Sequence, residues 1–397
     1  MATKPKTKSA SSALLALTSA ALALPGLAPA ASPSTQSRAD YRYSTYSEDD
    51  LSKRATGGAE GSRYEIDSHQ FHLLRPFGEN YDADVSLVHE TMSGASPWFI
   101  TPGNDGPVQV MSGATIRESR DDLLAKLNRY EDEQRIGVAL GYSDEDDYRA
   151  LNLAVDGDWQ EDAQRTWTGG IGYSDDKLEP TDGGSTQFPN RIKSADKDSL
   201  TLFGGLTQVL DAQTSVQASL SHTRQSGFLS DPYKLAFVNG STVNDSRPED
   251  RRSWSLFARL RRWFERPGGA LHLDYRYFDD DWEITAHTAE ISWWQRLPND
   301  WRIVPALRYY SQSQAFFYAP FFNSARPDGF HSSDYRLSPY GAVSFRLEAT
   351  KTLRDWTLGI GYESYGSDAD YALDSVDVEN PGLVNFDILS LRITRRF

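Results

Sequence analysis

The sequence predicts an all-β chain that closes into an antiparallel, up-and-down transmembrane β-barrel of about sixteen strands. Three observations carry this prediction. Apolar and polar residues alternate one by one through many segments, and the connections between those segments alternate between short and long. After the first thirty residues, no stretch approaches the roughly 20 apolar residues that a membrane helix needs. Side chains two apart on a strand share a face, so strict alternation gives each segment one oily and one polar side. A chain built this way keeps a low mean hydropathy even when half of it meets lipid.

Residues 1–30 read as a cleaved secretory leader. Lys4, Lys6 and Lys8 precede an apolar run from Ala13 to Leu24, and Ala28-Pro29-Ala30 makes a small-x-small cleavage site. Without those three lysines the net charge falls from −15 to −18. So acidic a chain is a poor partner for nucleic acid, which needs a basic face. There is no cysteine, so an exported chain of this kind gains nothing from disulfides and must be held by closure of its sheet. Residues 31–39 form a short polar linker, and 40–397 is assigned to the barrel.

The strands follow in order. "DYRYSTYSED" at 40–49 sets Tyr41, Tyr43 and Thr45 against Arg42, Ser44 and Tyr46. Further strands are expected near 63–74, 84–91, 117–129, 134–143, 147–156 and 163–174. The pattern is cleanest later. In "ALHLDYRYF", Leu271, Leu273, Tyr275 and Tyr277 oppose His272, Asp274 and Arg276, and "WRIVPALRYY" sets Trp301, Ile303, Leu307 and Tyr309 against Arg302 and Arg308. Val343, Phe345 and Leu347 then oppose Ser344, Arg346 and Glu348, and "WTLGIGYE" alternates apolar with Thr357, Gly359 and Gly361. The chain ends "ILSLRITRRF", with Leu389, Leu391, Ile393 and Phe397 in one register, an ending like that of bacterial outer-membrane barrels.

A sandwich would alternate too, with its oily faces inward. Trp and Tyr at the ends of the apolar faces, and charges on the other face that a tight core could not bury unpaired, favour the membrane. "LDAQ", "ERPGG" and "LPND" read as short periplasmic turns, a turn is placed around Ala349 to Leu353, and 175–195, 225–249, 314–335 and 366–382 read as outer loops. Loop parity gives sixteen strands; fourteen follow if 40–74 is a plug or lies in the periplasm.

Two near-identical words, "MSGAS" at 92–96 and "MSGAT" at 111–115, contain every methionine except Met1. Parity places them at the two feet of one outer loop, 92–116, the first word just after a strand. Met92, Ser93 and Gly94, with Met111, Ser112 and Gly113, are therefore the candidate constriction loop: small, turn-capable residues that fold it over the mouth. His89, Met92 and Met111 together would suit Cu(I), but methionine more commonly fills gaps, and no metal is assigned.

"YRYSTYSEDDL", "RYEIDSHQFHLL", "MSGASP", "SGATIRESR" and "YSDEDDY" resemble a family of Gram-negative outer-membrane proteins catalogued only as a domain of unknown function. The resemblance implies an outer-membrane barrel in contact with outer-membrane lipids. It also implies a neighbourhood of extracytoplasmic flavin-transfer and thioredoxin-like proteins, and hence periplasmic redox or flavin-transfer partners. It brings no activity and no catalytic residues.

Little else suggests chemistry. P-loop, Rossmann, haem-attachment and HExxH motifs are absent from the sequence, so no cofactor and no enzyme is expected. His69 and His72 fall on opposite strand faces, as do His287 and Ser292. The acidic words "DEDDY" (Asp144 to Tyr148) and "DDDW" (Asp279 to Trp282) read as solvated loop tips with a secondary role in bridging headgroup phosphates through divalent ions. The lumen is more informative. Alternation projects Arg259, Arg261, Arg276, Arg302, Arg308, Arg346 and Arg392 inward, with Asp274, Glu290, Glu348 and Glu363. Facing rows of opposite charge select ions; alternatively the pairs brace the wall or hold a plug. The expected function is a passive channel for small polar or anionic solutes, narrowed by loop 92–116. The alternative is a closed barrel anchoring an exported redox or metal-handling system.

Overall fold

Sixteen of the alternating segments pair edge to edge into one ring. The computed structural model describes residues 32–112 and 116–397; the expected leader and Gly113 lie outside the described residues. The wall begins with β1 (Arg38–Glu48), β2 (Glu65–Phe77) and β3 (Tyr81–Gly94). A hairpin of β4 (Pro97–Gly103) and β5 (Gly106–Met111) then stands apart from the wall. The ring resumes with β6 (Ile116–Glu131), β7 (Gln134–Glu145), β8 (Tyr148–Gln160), β9 (Arg165–Leu178), β10 (Ala195–Val209) and β11 (Thr214–Gly227). A second hairpin, β12 (Leu235–Val238) and β13 (Ser241–Asn244), precedes β14 (Asp250–Phe264), β15 (Gly269–Asp280) and β16 (Thr285–Leu297). Finally come β17 (Trp301–Gln312), β18 (Tyr340–Leu353), β19 (Trp356–Asp368) and β20 (Phe386–Arg396).

Every wall strand is antiparallel to the next, and β20 pairs with β1 from Arg38 opposite Arg396 to Glu48 opposite Phe386. At this seam Asp40, almost fully buried, accepts hydrogen bonds from Thr394 at 2.5 Å and Arg392 at 3.0 Å. Ser37 and Phe397 exchange backbone bonds of 2.9 and 3.0 Å just beyond it. Closure satisfies every edge, which is the only way a sheet can stand in hydrocarbon.

The count of sixteen therefore stands, and residues 40–74 supply β1 and β2, which removes the fourteen-strand alternative. Some boundaries move. The first strand starts at Arg38, inside the segment read as linker, and β3 runs on through Gly94, so the first Met-Ser-Gly word ends a strand instead of following one. The turn expected around Ala349 to Leu353 is the end of β18, and 354–355 make the turn.

The outward faces form an oily band. Leu127, Leu140, Leu307 and Ile360 are 48, 57, 50 and 52% exposed, and Leu273, Val343 and Phe345 also point out. Aromatic residues bound the band: Phe77, Tyr81, Trp159, Trp167, Trp301 and Trp356 beside the short turns, and Tyr142, Tyr173, Trp254 and Tyr362 towards the long loops. An apolar surface this continuous is costly in water and matched in a bilayer, whose interfaces favour Trp and Tyr.

Candidate functional site

Arg259, Arg261, Arg276, Arg302, Arg308, Arg346, Asp274 and Glu348 all occupy inward positions, alternating with exposed outward neighbours such as Leu256, Tyr275, Leu307 and Phe345. Inward does not mean dry. The side chains of Arg308, Glu348 and Arg392 are 44, 40 and 47% exposed, so water reaches this wall inside the barrel.

The arginines divide into two groups. Arg259 grips Asp274 through two parallel bonds of 2.7 Å, and Arg308 and Arg346 share Glu290 at 2.7 and 2.8 Å. Arg346 also lies 3.5 Å from Glu348 and 3.8 Å from Glu363. Most of these pairs cross from strand to strand, Arg346 reaching Glu290 over the intervening β17, and they brace the wall. Among the described residues, Arg261, Arg276 and Arg302 form no ion pair; the Nε atoms of Arg261 and Arg302 are buried without a hydrogen-bond partner, and Arg302 stacks over Trp294 at 5.1 Å. Their charge is left to the lumen.

Sequence reading found this basic wall and missed the one facing it. Eight places around the ring separate β3 from β15, β6 from β16, β7 from β17 and β8 from β18. Inward positions on the first of each pair carry Asp82, Asp84, Asp122, Asp156 and Asp158. Asp156 and Asp158 hold Arg135, and Asp156 also takes Lys126 at 2.6 Å, but Asp82 is held by neutral groups, Asn128 and Tyr130, both at 2.8 Å. One side of the lumen is thus negative and the opposite side positive. The signal was available in the β3 to β8 sequence, but only strand order reveals that the two sides face each other.

The long loops lie over the end of the barrel away from the termini and bind one another across it. Gln109 of β5 donates its N–H to Ala55 at 2.8 Å, and Arg63 reaches the Gly382 carbonyl at 3.2 Å. Lys234 donates to the Pro97 carbonyl at 2.7 Å, joining loop 228–249 to the β4–β5 hairpin from across the ring. Asn380 donates to the Tyr318 hydroxyl at 2.9 Å. Loops 228–249 and 313–339 share bridges at Val238–Phe322 and Ser246–His331. Phe317 and Ile100 have no exposed surface, and Trp282, Ile284, Phe317, Tyr318 and Leu337 pack as one apolar cluster. Beneath the cover runs an ion network in which Asp334 takes Arg247 at 2.9 Å and Arg336, which also binds Asp231 at 2.7 Å. Burial pushes the Lys234 ammonium down. Burial alone would raise Asp334, but Arg336, Lys234 and Arg247 outweigh it and hold that carboxyl well below the usual range.

The repeated words belong to this lid. Ser96 donates its N–H to the Ser112 hydroxyl at 2.9 Å, and Ser112 returns its own N–H to the Ser96 carbonyl at 2.8 Å, so the two words clasp the base of the hairpin. Met111 pairs with Pro97. Gly94 has φ +129°, and a Cβ there would sit 2.1 Å from the Arg63 carbonyl oxygen. Ser93 stands on the opposite face of β3 from Met92, at the rim. The described part of loop 92–116, chiefly the β4–β5 hairpin, therefore joins a lid shared with the other long loops. The copper grouping fails. Met92 points inward onto Ile66, whereas His89 points outward and binds Asp121 at 2.7 Å. The acidic words are solvated tips only in part: Asp146 and Asp281 are exposed, but their neighbours are not. Glu145 and Asp147 are buried, as are Asp280, paired with Arg251, and Trp282. The overlying loops cover them, a tertiary effect invisible in local composition.

A family model described as "Protein of unknown function (DUF3570)" matches residues 14–385. No curated protein matches the chain. Several solved structures are similar to it at low identity. The siderophore receptor PirA from Pseudomonas aeruginosa is 12% identical with a TM-score of 0.42, the match covering 84% of this chain and 56% of that one. The chain thus spans little more than half of that receptor. OccK5 (OpdH), also from Pseudomonas aeruginosa, is 8% identical with a TM-score of 0.43 over 91% of this chain and 98% of that one. The translocator domain of the autotransporter NalP from Neisseria meningitidis is 11% identical with a TM-score of 0.38, over 97% and 94%.

Proposed function

The chain belongs to the DUF3570 family, and from that premise, which assigns no activity, we propose that it is an outer-membrane channel for small polar or anionic solutes with a lid on its outer mouth. A sixteen-strand ring is wide enough to hold a water column. The observation that carries the reading is the trio Arg261, Arg276 and Arg302, which among the described residues pair with no carboxylate, on a wall where Arg308 and Arg392 are about half exposed. Set against the acidic side, where Asp82 is held only by neutral groups, they lay a field across the lumen that favours anions on one side and orients dipolar solutes between the two. The exposed apolar band supports placement in the outer membrane, and the interlocked loops support a pathway that conducts when the lid loosens.

Purified protein in a planar bilayer tests this reading. Discrete conductance with anion preference is the expected result. A silent bilayer containing correctly folded protein removes the channel and leaves a shut barrel serving as an anchor, for which crosslinking to a periplasmic redox or flavin-transfer protein is the corresponding assay.

A further inference from the structure

Where the wall meets the lid, three carboxylates converge from separate segments: Glu118 near the outer end of β6, Glu145 at the end of β7, and Asp147 in the turn to β8. Each places one oxygen within 4.8 Å of the others, and all three residues are buried. An ion binding oxygens at about 2.4 Å spans oxygens up to about 4.8 Å apart, so the separation suits a single hard cation.

Acidic clusters alone mean little, but this one has an unusual member. Glu145 is 5% exposed, neither of its carboxylate oxygens accepts a hydrogen bond, and it lines a cavity of about 10 Å³ shared with Glu90, Met92, Glu118 and Arg120. That space holds about one water or one ion. The nearby cation is already committed: Arg120 lies 2.7 Å from Asp122 and 3.3 Å from Glu90. A buried carboxylate with no donor is expensive to keep, and a positive ligand in the cavity would compensate it.

We propose that Glu118, Glu145 and Asp147 bind a divalent cation of the calcium class, with water completing its shell. The site needs no solute channel and stands independently of that reading. Its position gives it a task. Asp147 accepts the Tyr233 hydroxyl through one carboxylate oxygen, and the next residue, Lys234, ties loop 228–249 to the hairpin at Pro97. A bound ion fixes Asp147 and so pins the lid to the wall.

The test uses the whole folded barrel in detergent, stripped with chelator and titrated with Tb³⁺, whose emission Tyr148 and Tyr233 would sensitise; Ca²⁺ and then Mg²⁺ are added as competitors. We expect one saturable site, displaced by Ca²⁺ at lower concentration than by Mg²⁺. Glu145→Gln should weaken it on the order of tenfold or more, because affinity in such sites follows the count of charged ligands. Asp147→Asn serves as a second variant, and Asp374→Asn on an exposed loop should titrate as the parent does. Folded protein with no saturable signal overturns the proposal. So does a Glu145→Gln protein that binds like the parent.

Discussion

Lys234→Met removes the ammonium that ties one side of the lid to the other and that also lies in the field of Asp334. Methionine keeps the length and apolar stem of lysine, so the difference reports the ammonium and its 2.7 Å bond to the Pro97 carbonyl. A hydrogen bond from a charged donor contributes about 1.5–3 kcal/mol. Burial works against that charge and takes back part of the gain, so the lower end of the range applies. At roughly 1.4 kcal/mol per tenfold, lid opening becomes about ten times more populated. Hydrogen–deuterium exchange reads this directly, because amide protection scales with the opening equilibrium. Residues 97–111, including the Gln109 N–H bound to Ala55, should lose about tenfold in protection, while amides in β7 and β8 keep theirs. Protection over 97–111 unchanged within about twofold would refute the view that Lys234 holds the lid shut.

Other predictions concern the wall, the hairpin base and pH. Replacing Arg276 and Arg302 together with alanine removes two cations that have no ion-pair partner among the described residues; at about 7 Å in water each attracts an anion and repels a cation by about 0.6 kcal/mol, so the anion-to-cation permeability ratio from reversal potentials should fall roughly tenfold or more. The same change at Arg259, which is paired to Asp274, should have a smaller effect. Gly94→Val places a Cβ against the Arg63 carbonyl at a positive φ and should cost at least ~1–3 kcal/mol, seen as an earlier denaturant midpoint in the heat-shifted gel assay; an unmoved midpoint contradicts the close approach. The folded-state pKa of Asp334 lies below its ordinary value. Its contribution is therefore fully present above the usual carboxylate range and is lost only as pH falls through the depressed value. Exchange protection of loop 313–339 should accordingly be flat between pH 7 and about 5, and loosening within that window would locate the lid's restraint elsewhere.

The ring was legible because its information is local. Each strand records its own inside and outside, as in Leu271 to Tyr277, and the length of each connection records which end of the barrel it crosses. Inward arginines could be named from alternation alone. Their pairing could not, since Arg308 and Arg346 meet on Glu290 only after three strands are set side by side. The lid was less legible still. Irregular loops carry no periodicity, and contacts such as Lys234 to Pro97 join residues that neither spacing nor composition relates. The same blindness made Asp144 to Tyr148 look like a hydrated tip, when Tyr233 comes down onto Asp147 from a distant loop.

The bond between β1 and β20 has a consequence for how the molecule is made. The first and last wall strands meet at Asp40, Arg392 and Thr394, so the cylinder cannot shut until the final strand has been made. Until then two bare edges must be sheltered by something else. Assembly is consequently all-or-nothing: loss of the last dozen residues should yield no smaller cylinder, only a ribbon fit for degradation.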